Sequence, residues 1–173
     1  MAKRIVVGTD RGVFTYERDA SGGWTFGEHL LPGWRVDSVV QLPSGRMVAG
    51  AGHFAYGTTI RYSDDGGVTW TQAERTPSFE HGPMPTLADG TTRKLDAIWT
   101  IATGGPASPE TLYAGTDLAA LFRSDDGGES WDEVMGLQHH PSRQYWAPGG
   151  GGMCLHTILP HPTNANQIGR AHV

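Results

Sequence analysis

The stretch Arg61-Tyr62-Ser63-Asp64-Asp65-Gly66-Gly67-Val68-Thr69-Trp70 returns as Arg123-Ser124-Asp125-Asp126-Gly127-Gly128-Glu129-Ser130-Trp131, with its serine 61 positions further on. The shared pattern, Ser-x-Asp-x-Gly-x-(Thr/Ser)-Trp, has a physical logic. An Asp side chain accepts hydrogen bonds from backbone N–H groups just ahead of it, and Gly takes the positive-φ position of a tight turn. The Trp then opens the next strand and packs back over the turn. Ser63, Asp65, Gly67 and Trp70, and again Ser124, Asp126, Gly128 and Trp131, therefore read as structural residues of a stapled β-hairpin turn.

A fainter copy lies upstream in Tyr16-Glu17-Arg18-Asp19-Ala20-Ser21-Gly22-Gly23-Trp24, which keeps Asp, Gly-Gly and Trp but not the leading Ser. An apolar run ending in Gly and a small residue precedes each turn: Ile5-Val6-Val7-Gly8-Thr9, Met47-Val48-Ala49-Gly50-Ala51 and Leu112-Tyr113-Ala114-Gly115-Thr116. A period of about 40 to 60 residues with several short strands per unit indicates propeller blades. The expected fold is all-β, a partial β-propeller of about three four-stranded blades plus the first strand of a fourth.

The turn motif resembles the Asp-box, or BNR repeat, of sialidases, sortilin-type propellers and bacterial propellers labelled glycosyl hydrolase or exo-sialidase by homology. Leu112–Gly115, Ala119–Gly128 and Gly151–Leu159 carry the likeness to that bacterial group, which spans the chain up to Gln167. The resemblance implies a propeller strongly and an activity weakly, because such turns recur in unrelated activities.

Blade 1 spans residues 1–32 and lacks its first strand: Arg4–Gly8, Gly12–Tyr16 and Gly23–Phe26 serve as second to fourth. Blade 2, residues 33–94, runs Trp34–Leu42, Met47–Ala51, Thr58–Tyr62 and Thr69–Ala73. Blade 3, residues 95–152, runs Leu95–Ala102, Thr111–Gly115, Ala120–Ser124 and Ser130–Val134. Residues 153–167 open blade 4 with Met153–Leu159. The last six residues, Ile168-Gly169-Arg170-Ala171-His172-Val173, match the translation of a sequencing-library adaptor; residues 168–173 are expected to lie outside the fold, at a truncated reading frame.

With 13 Lys+Arg against 18 Asp+Glu, net charge −5, the chain is a poor partner for a nucleic-acid backbone. No run approaches the roughly 18 apolar residues of a membrane span. The N-terminus enters strand pattern without an apolar leader, and Cys154 is the single cysteine; both fit a cytoplasmic protein.

Function is expected on one face. In antiparallel blades, first-to-second and third-to-fourth turns share one side, so the stapled turns face away from the second-to-third turns and the long connectors Thr76–Lys94 and Gly136–Gly152. The opposite face would gather Arg35, His53, Tyr56, Glu80, His81, Arg143, Tyr145, Trp146 and His156, with His139 and His140 nearby. Convergent polar and aromatic groups near a propeller axis suit a glycan, a small molecule or a protein ligand.

Other chemistries fit less well. Asp64-Asp65-Gly66-Gly67 lacks the alternating ligands and terminal Glu of a calcium loop. Adjacent His139 and His140 do not make a zinc pair, and Gly149–Gly152 leads into a strand where a phosphate cradle needs a helix, so neither a metal nor a cofactor is expected. A sialidase, by resemblance, needs an arginine triad, a Tyr–Glu nucleophile pair and an Asp acid/base. Arg35, Arg93 and Arg143 are the available arginines, but Lys3-Arg4-Ile5-Val6 departs from the family's (Phe/Tyr)-Arg-Ile-Pro segment. The expected function is thus a non-catalytic ligand-binding or scaffold module; a sialidase-like glycoside hydrolase with catalytic residues partly outside these blades is the alternative. Open blade edges also invite self-association.

Overall fold

The hairpins that the repeated turns require are present and antiparallel. The computed structural model describes residues 3–80, 82–87, 89–106, 108–148, 152–164 and 167–170, with nothing said of the side chain of residue 170. Blade 1 is a three-stranded sheet of β1 (Arg4–Thr9), β2 (Gly12–Arg18) and β3 (Trp24–Leu30). Blade 2 orders β4 (Arg35–Gln41), β5 (Met47–His53), β6 (Gly57–Ser63) and β7 (Thr71–Gln72). Blade 3 orders β8 (Ile98–Thr103), β9 (Leu112–Thr116), β10 (Leu121–Ser124) and β11 (Asp132–Glu133). The chain is a β-propeller arc.

The outer strands β7 and β11 are two residues each, shorter than Thr69–Ala73 and Ser130–Val134. The turn itself consumes the difference. Thr69 N–H and Oγ both donate to the Asp65 carboxylate (2.9 and 2.6 Å), so the Thr69 N–H is not free to pair, and Trp70 Nε1 donates back to Gly67 O (2.8 Å) and folds the ring over the turn. Ser63 completes the staple: its hydroxyl donates to Asp65 (2.8 Å) and accepts from Gly67 N–H (2.8 Å). The second copy repeats each bond, with Ser124 donating to Asp126 (2.7 Å), Gly128 N–H donating to Ser124 (2.9 Å) and Trp131 Nε1 donating to Gly128 O (3.0 Å). In the degenerate first turn Ser21 replaces the lost serine, giving Asp19 both its N–H (2.9 Å) and its hydroxyl (2.6 Å).

Blades join through one repeated device. A Cβ added at Gly8 would stand 2.7 Å from Val36 O, at Gly50 2.8 Å from Ile98 Cβ, and at Gly115 2.1 Å from Leu155 O. These glycines occupy the same place in β1, β5 and β9, and each admits the inner strand of the following blade. By this place β1 corresponds to β5 and β9, the second strands of their sheets. Opposite Gly50 and Gly115 the inner strands are bulged, between Val36 and Ser38 in β4 and between Ile98 and Thr100 in β8. Around the joints lie the cores. Val48 and Ile60 of blade 2 pack with Ile98, Leu112, Phe122 and Trp131 of blade 3, and Val13 and Leu30 of blade 1 pack with Val36, Met47 and Ala49 of blade 2. Each such large apolar side chain contributes about 1.5–3 kcal/mol on burial.

The connectors depart from the expectation of structureless loops. Residues 76–94 carry a Thr86–Thr92 bridge, and Phe79 inserts against Phe122, with ring centroids 5.7 Å apart. Residues 136–152 include part of a short helix, α1 (Met135–Gln138), and a 3₁₀ turn (Pro141–Tyr145). The Gly149–Gly151 part of the glycine run lies outside the described residues.

In place of an inner strand over Met153–Leu159, Cys154 bridges to Asp117 and pairing resumes at β12 (Ile158–Pro160). Ile168–Arg170, expected to lie outside the fold, forms β13 and pairs with β12, Ile168 opposite Pro160. Residues 171–173 lie outside the described residues.

Candidate functional site

The two faces are told apart by an arginine. Arg46, at the foot of β5, binds the Asp64 carboxylate with Nε (2.6 Å) and Nη2 (2.9 Å), and reaches Glu129 (2.9 Å) and Gly127 O (3.4 Å) in the turn of the next blade. Arg4, its counterpart in β1, reaches Gly66 O of blade 2 (3.5 Å). First-to-second turns and stapled turns therefore share one face and are clasped across blades. The β5–β6 turn, residues 54–56, lies on the other.

On that other face, four aromatic rings meet at the top of blade 2. His53 sits 4.9 Å from Trp34, 4.6 Å from Phe54 and 4.8 Å from Tyr56, centroid to centroid, and Trp34 and Tyr56 are nearly parallel at 6.1 Å. Phe54 is 98% exposed and Tyr56 76% exposed, whereas Trp34 is anchored against the blade 1–2 core. Below it the Arg61 guanidinium lies 4.1 Å from the Trp34 centroid, and burial disfavours the charge that the ring face accepts. The β5–β6 turn thus presents aromatic surface to solvent.

Arg35 borders this cluster and ties it to the inner strands. Its Nε donates to Asp37 (3.0 Å) and its Nη2 to Asp96 O (2.8 Å), an oxygen that also accepts from Thr58 Oγ (2.8 Å). Asp117 extends the polar network: one carboxylate oxygen accepts from Asp96 N–H (2.8 Å) and Ala97 N–H (2.6 Å), the other from Trp99 Nε1 (2.8 Å). Asp37 and Trp99 are the bulged residues of β4 and β8, and His156, after Leu155, is their counterpart in blade 4. A bulge re-aims its side chain, so Asp37 and Trp99 stand at one level of two successive inner strands, and His156 lies just ahead of β12.

The remaining expected residues fall elsewhere. Glu80 borders a groove with Thr58, Thr76, Phe79 and Lys94, away from the aromatic cluster. The connector starts at the rim, where Arg75 bridges Ser130 of the next turn, and Arg93 is then buried in it. Arg93 pairs with Glu133 at 2.6 Å, both side chains 1% exposed, and its guanidinium lies 3.9 Å from the Phe79 centroid. Arg143 caps the carbonyls of Leu118 and Ala119, two left-handed residues (φ 59° and 49°), and packs 5.2 Å from the Trp146 ring. Trp146 lines an apolar cleft of about 310 Å³ on blade 3, and Tyr145 is exposed on the 3₁₀ turn. His81 lies outside the described residues. Among the described residues no group of three or more His, Cys, Asp or Glu is placed to hold a metal ion.

Trp34, Phe54, Asp37, Trp99 and Asp117 were not among the expected site residues. A signal existed for two of them. The triplets Val36-Asp37-Ser38, Ile98-Trp99-Thr100 and Leu155-His156-Thr157 share an apolar–variable–hydroxyl pattern at equivalent points of the repeat.

The geometry defines a propeller arc whose stapled turns and aromatic cluster lie on opposite sides, and comparison with solved structures agrees on the propeller fold. The chain is similar to a GH74 xyloglucanase from Xanthomonas campestris, with TM-score 0.61 and 18% identity over 96% of this chain and 24% of that one. It is also similar to YCF48 bound to D1 peptide, with TM-score 0.52 and 18% identity over 80% of this chain and 38% of that one. At this identity the likeness is one of fold. The chain spans about a quarter of the first protein and well under half of the second. No family model matches the chain, and no curated protein matches it.

Proposed function

We propose that the protein is a non-catalytic ligand-binding module whose binding surface is the blade 2 corner formed by Trp34, Arg35, His53, Phe54 and Tyr56, and that its ligand is a glycan. The observation that carries this reading is the pair of exposed rings, Phe54 and Tyr56, pre-positioned around His53 and Trp34. Flat apolar ring faces suit the axial C–H faces of a pyranose, while the remaining N–H groups of Arg35 and the second carboxylate oxygen of Asp37 offer donors and an acceptor for hydroxyls. Preorganised aromatic anchors lose little conformational entropy on binding. The xyloglucanase likeness supports a sugar polymer as the first ligand to try.

The arginines disfavour the hydrolase alternative of sialidase type. Arg93 is committed to Glu133, Arg143 to two backbone carbonyls, and Arg35 to Asp37 and Asp96, so they do not converge on a shared carboxylate position.

The test is titration with xyloglucan oligosaccharides, read by tryptophan fluorescence and calorimetry, with Phe54→Ala and Tyr56→Ala as variants. Saturable binding weakened at least tenfold in each variant supports the reading. Binding unaffected by either change would move the site away from this corner, and release of reducing ends by the wild-type chain would make the protein a hydrolase.

A further inference from the structure

The aromatic corner is not the whole of the concave surface on blade 2. A groove of about 470 Å³ opens between Thr58 at the top of β6 and both arms of the connector, residues 76–80 and 92–95, and ligand pockets typically measure about 300–1,000 Å³. Its deepest groups are already satisfied. Phe79, 1% exposed, lies against the Arg93 guanidinium, whose charge Glu133 neutralises. Its walls are not. Among the described residues the Ser78 and Thr92 hydroxyls and the Glu80 carboxylate make no hydrogen bond or ion pair within the protein. Lys94, also in the wall, is held by Asp96 at 2.6 Å.

These commitments decide what the groove accepts. Both of its cations are paired, and its one unpaired charge, Glu80, is negative, so neither a phosphate nor a carboxylate finds a counter-ion. An apolar ligand would take water from Ser78, Glu80 and Thr92 and return no hydrogen bond. A neutral ligand rich in hydroxyls returns them, because each hydroxyl both donates and accepts.

The groove also begins one step from the rings. Tyr56, Gly57 and Thr58 are consecutive: an exposed ring, a residue without a side chain, and the near wall of the groove. A Cβ at Gly57 would meet nothing within 4 Å, so the step between them is open. Asp96 O ties the two surfaces together. It accepts from Arg35 Nη2, which borders the rings, and from Thr58 Oγ, which borders the groove, at 2.8 Å each.

We infer that this groove is a second sugar subsite continuous with the corner, and that the ligand is a neutral oligosaccharide bound along its chain, one sugar on Phe54 and Tyr56 and a further one against Ser78, Glu80 and Thr92. The inference rests on the glycan reading of the corner. Glu80 gives the subsite its selectivity: a carboxylate accepts from two neighbouring hydroxyls of one sugar ring and repels a uronate. With two linked subsites the second contact is intramolecular, so affinity rises with chain length until both are filled.

The experiment is calorimetric titration of the full chain with xyloglucan oligosaccharides and with a ladder from cellobiose to cellohexaose. The proteins are wild type, Phe54→Ala and the double variant Ser78→Ala/Thr92→Val, which removes two hydroxyls from the groove wall with little change of shape. Wild-type affinity should rise at least tenfold along the ladder. The double variant should lose at least tenfold for the longest ligands and less than twofold for the shortest one that binds, with its urea midpoint unchanged. An oligogalacturonide as long as the best neutral ligand should bind at least tenfold more weakly than it. Binding that requires Phe54 but is equal in the double variant and the wild type for every ligand would overturn the second subsite and leave the reading of the corner intact. A wild-type chain that binds none of these oligosaccharides would overturn both, and tighter binding of the oligogalacturonide would overturn the neutral ligand class and the role of Glu80.

Discussion

Gly50→Ala isolates the blade joint from every other source of stability. A methyl there would meet Ile98 Cβ and Cγ2 at 2.8 Å and Ile98 O at 3.2 Å, against an optimum of about 3.5–4.0 Å. Ile98 is fully buried between two complete blades, so relief requires sliding β8 away from β5. Overpacking of this kind costs about 1–3 kcal/mol. The stiffer unfolded chain offsets about 0.4–1 kcal/mol of that. Gly50 is not among the positive-φ glycines, so backbone strain adds nothing. The net expectation is a loss of about 1–2 kcal/mol, which at a urea m-value of about 2 kcal/mol/M moves the midpoint by roughly 0.5–1 M. Gly136→Ala, a helical glycine whose added Cβ meets nothing within 4 Å, serves as control and should stabilise by about 0.5–1 kcal/mol. Equilibrium urea unfolding followed by far-ultraviolet circular dichroism measures both. A Gly50→Ala protein within about 0.5 kcal/mol of wild type would refute the account of the joint, because a loss that small is what ordinary surface positions show.

Other changes test the remaining elements. Arg93→Ala strands the Glu133 carboxylate, 1% exposed, and should cost about 3–5 kcal/mol, whereas replacing both members by apolar residues should restore much of the loss in the same urea experiment. Ser124→Ala leaves the Gly128 N–H without its acceptor in a buried turn and should cost about 1–3 kcal/mol, read as a lower melting temperature with the Trp131 fluorescence transition shifted alongside. The turn carboxylates also predict an acid limb. The Thr69 hydroxyl, then its N–H and Ser63, hold Asp65 at a pKa of about 2; for Asp126 burial pulls upward, but Ser130, Ser124 and the Glu129 N–H outweigh it and hold it at about 2 as well. Depressed folded values mean stability that is present above the unfolded pKa near 3.8 and lost as pH falls toward 2. Chemical denaturation at a series of pH values should thus be flat above about pH 5 and decline below about 4, with the decline shallower in Asp126→Asn.

Which parts of this architecture could be read from the chain follows from where the repeat enforces identity. The stapled turns were legible because Ser63, Asp65 and Gly67 bond one another within five residues, so the motif carries its own geometry. The joint glycines were visible as a recurring letter after each apolar run, although the reason for them, contact with the next inner strand, is a long-range fact. The arginine clasp was hidden for an instructive reason: Arg4 and Arg46 hold the same position of the repeat, four residues before the joint glycine, but blade 3 has Thr111 there and breaks the pattern. The Arg93–Glu133 pair joins residues forty positions apart with no motif at either end, and α1 is too short, at four residues, to show a helical period.

The candidate site resisted reading because its face is where the repeats differ. At the bulge of the inner strand blades 2 and 3 place Asp37 and Trp99, and the matching position ahead of β12 holds His156; they share neither charge nor size, while the flanking positions stay apolar and hydroxylic. The bulge needs only backbone geometry, so its side chain is free to vary. Trp34, Phe54 and Tyr56 cluster because one hairpin turn in blade 2 has three residues between strands, whereas the matching turn of blade 1 has two, Asp10 and Arg11, and carries no ring. A face built from what is unique to each blade cannot be inferred from the repeat that builds the fold. The same separation lets the stapled face hold the arc together while the opposite face varies, and under the proposed function it places the stability-determining and binding-determining substitutions in different residues. Phe54→Ala and Tyr56→Ala should therefore weaken glycan binding while leaving the unfolding free energy within about 0.5 kcal/mol of wild type, as expected for exposed side chains, and Ser124→Ala should do the reverse.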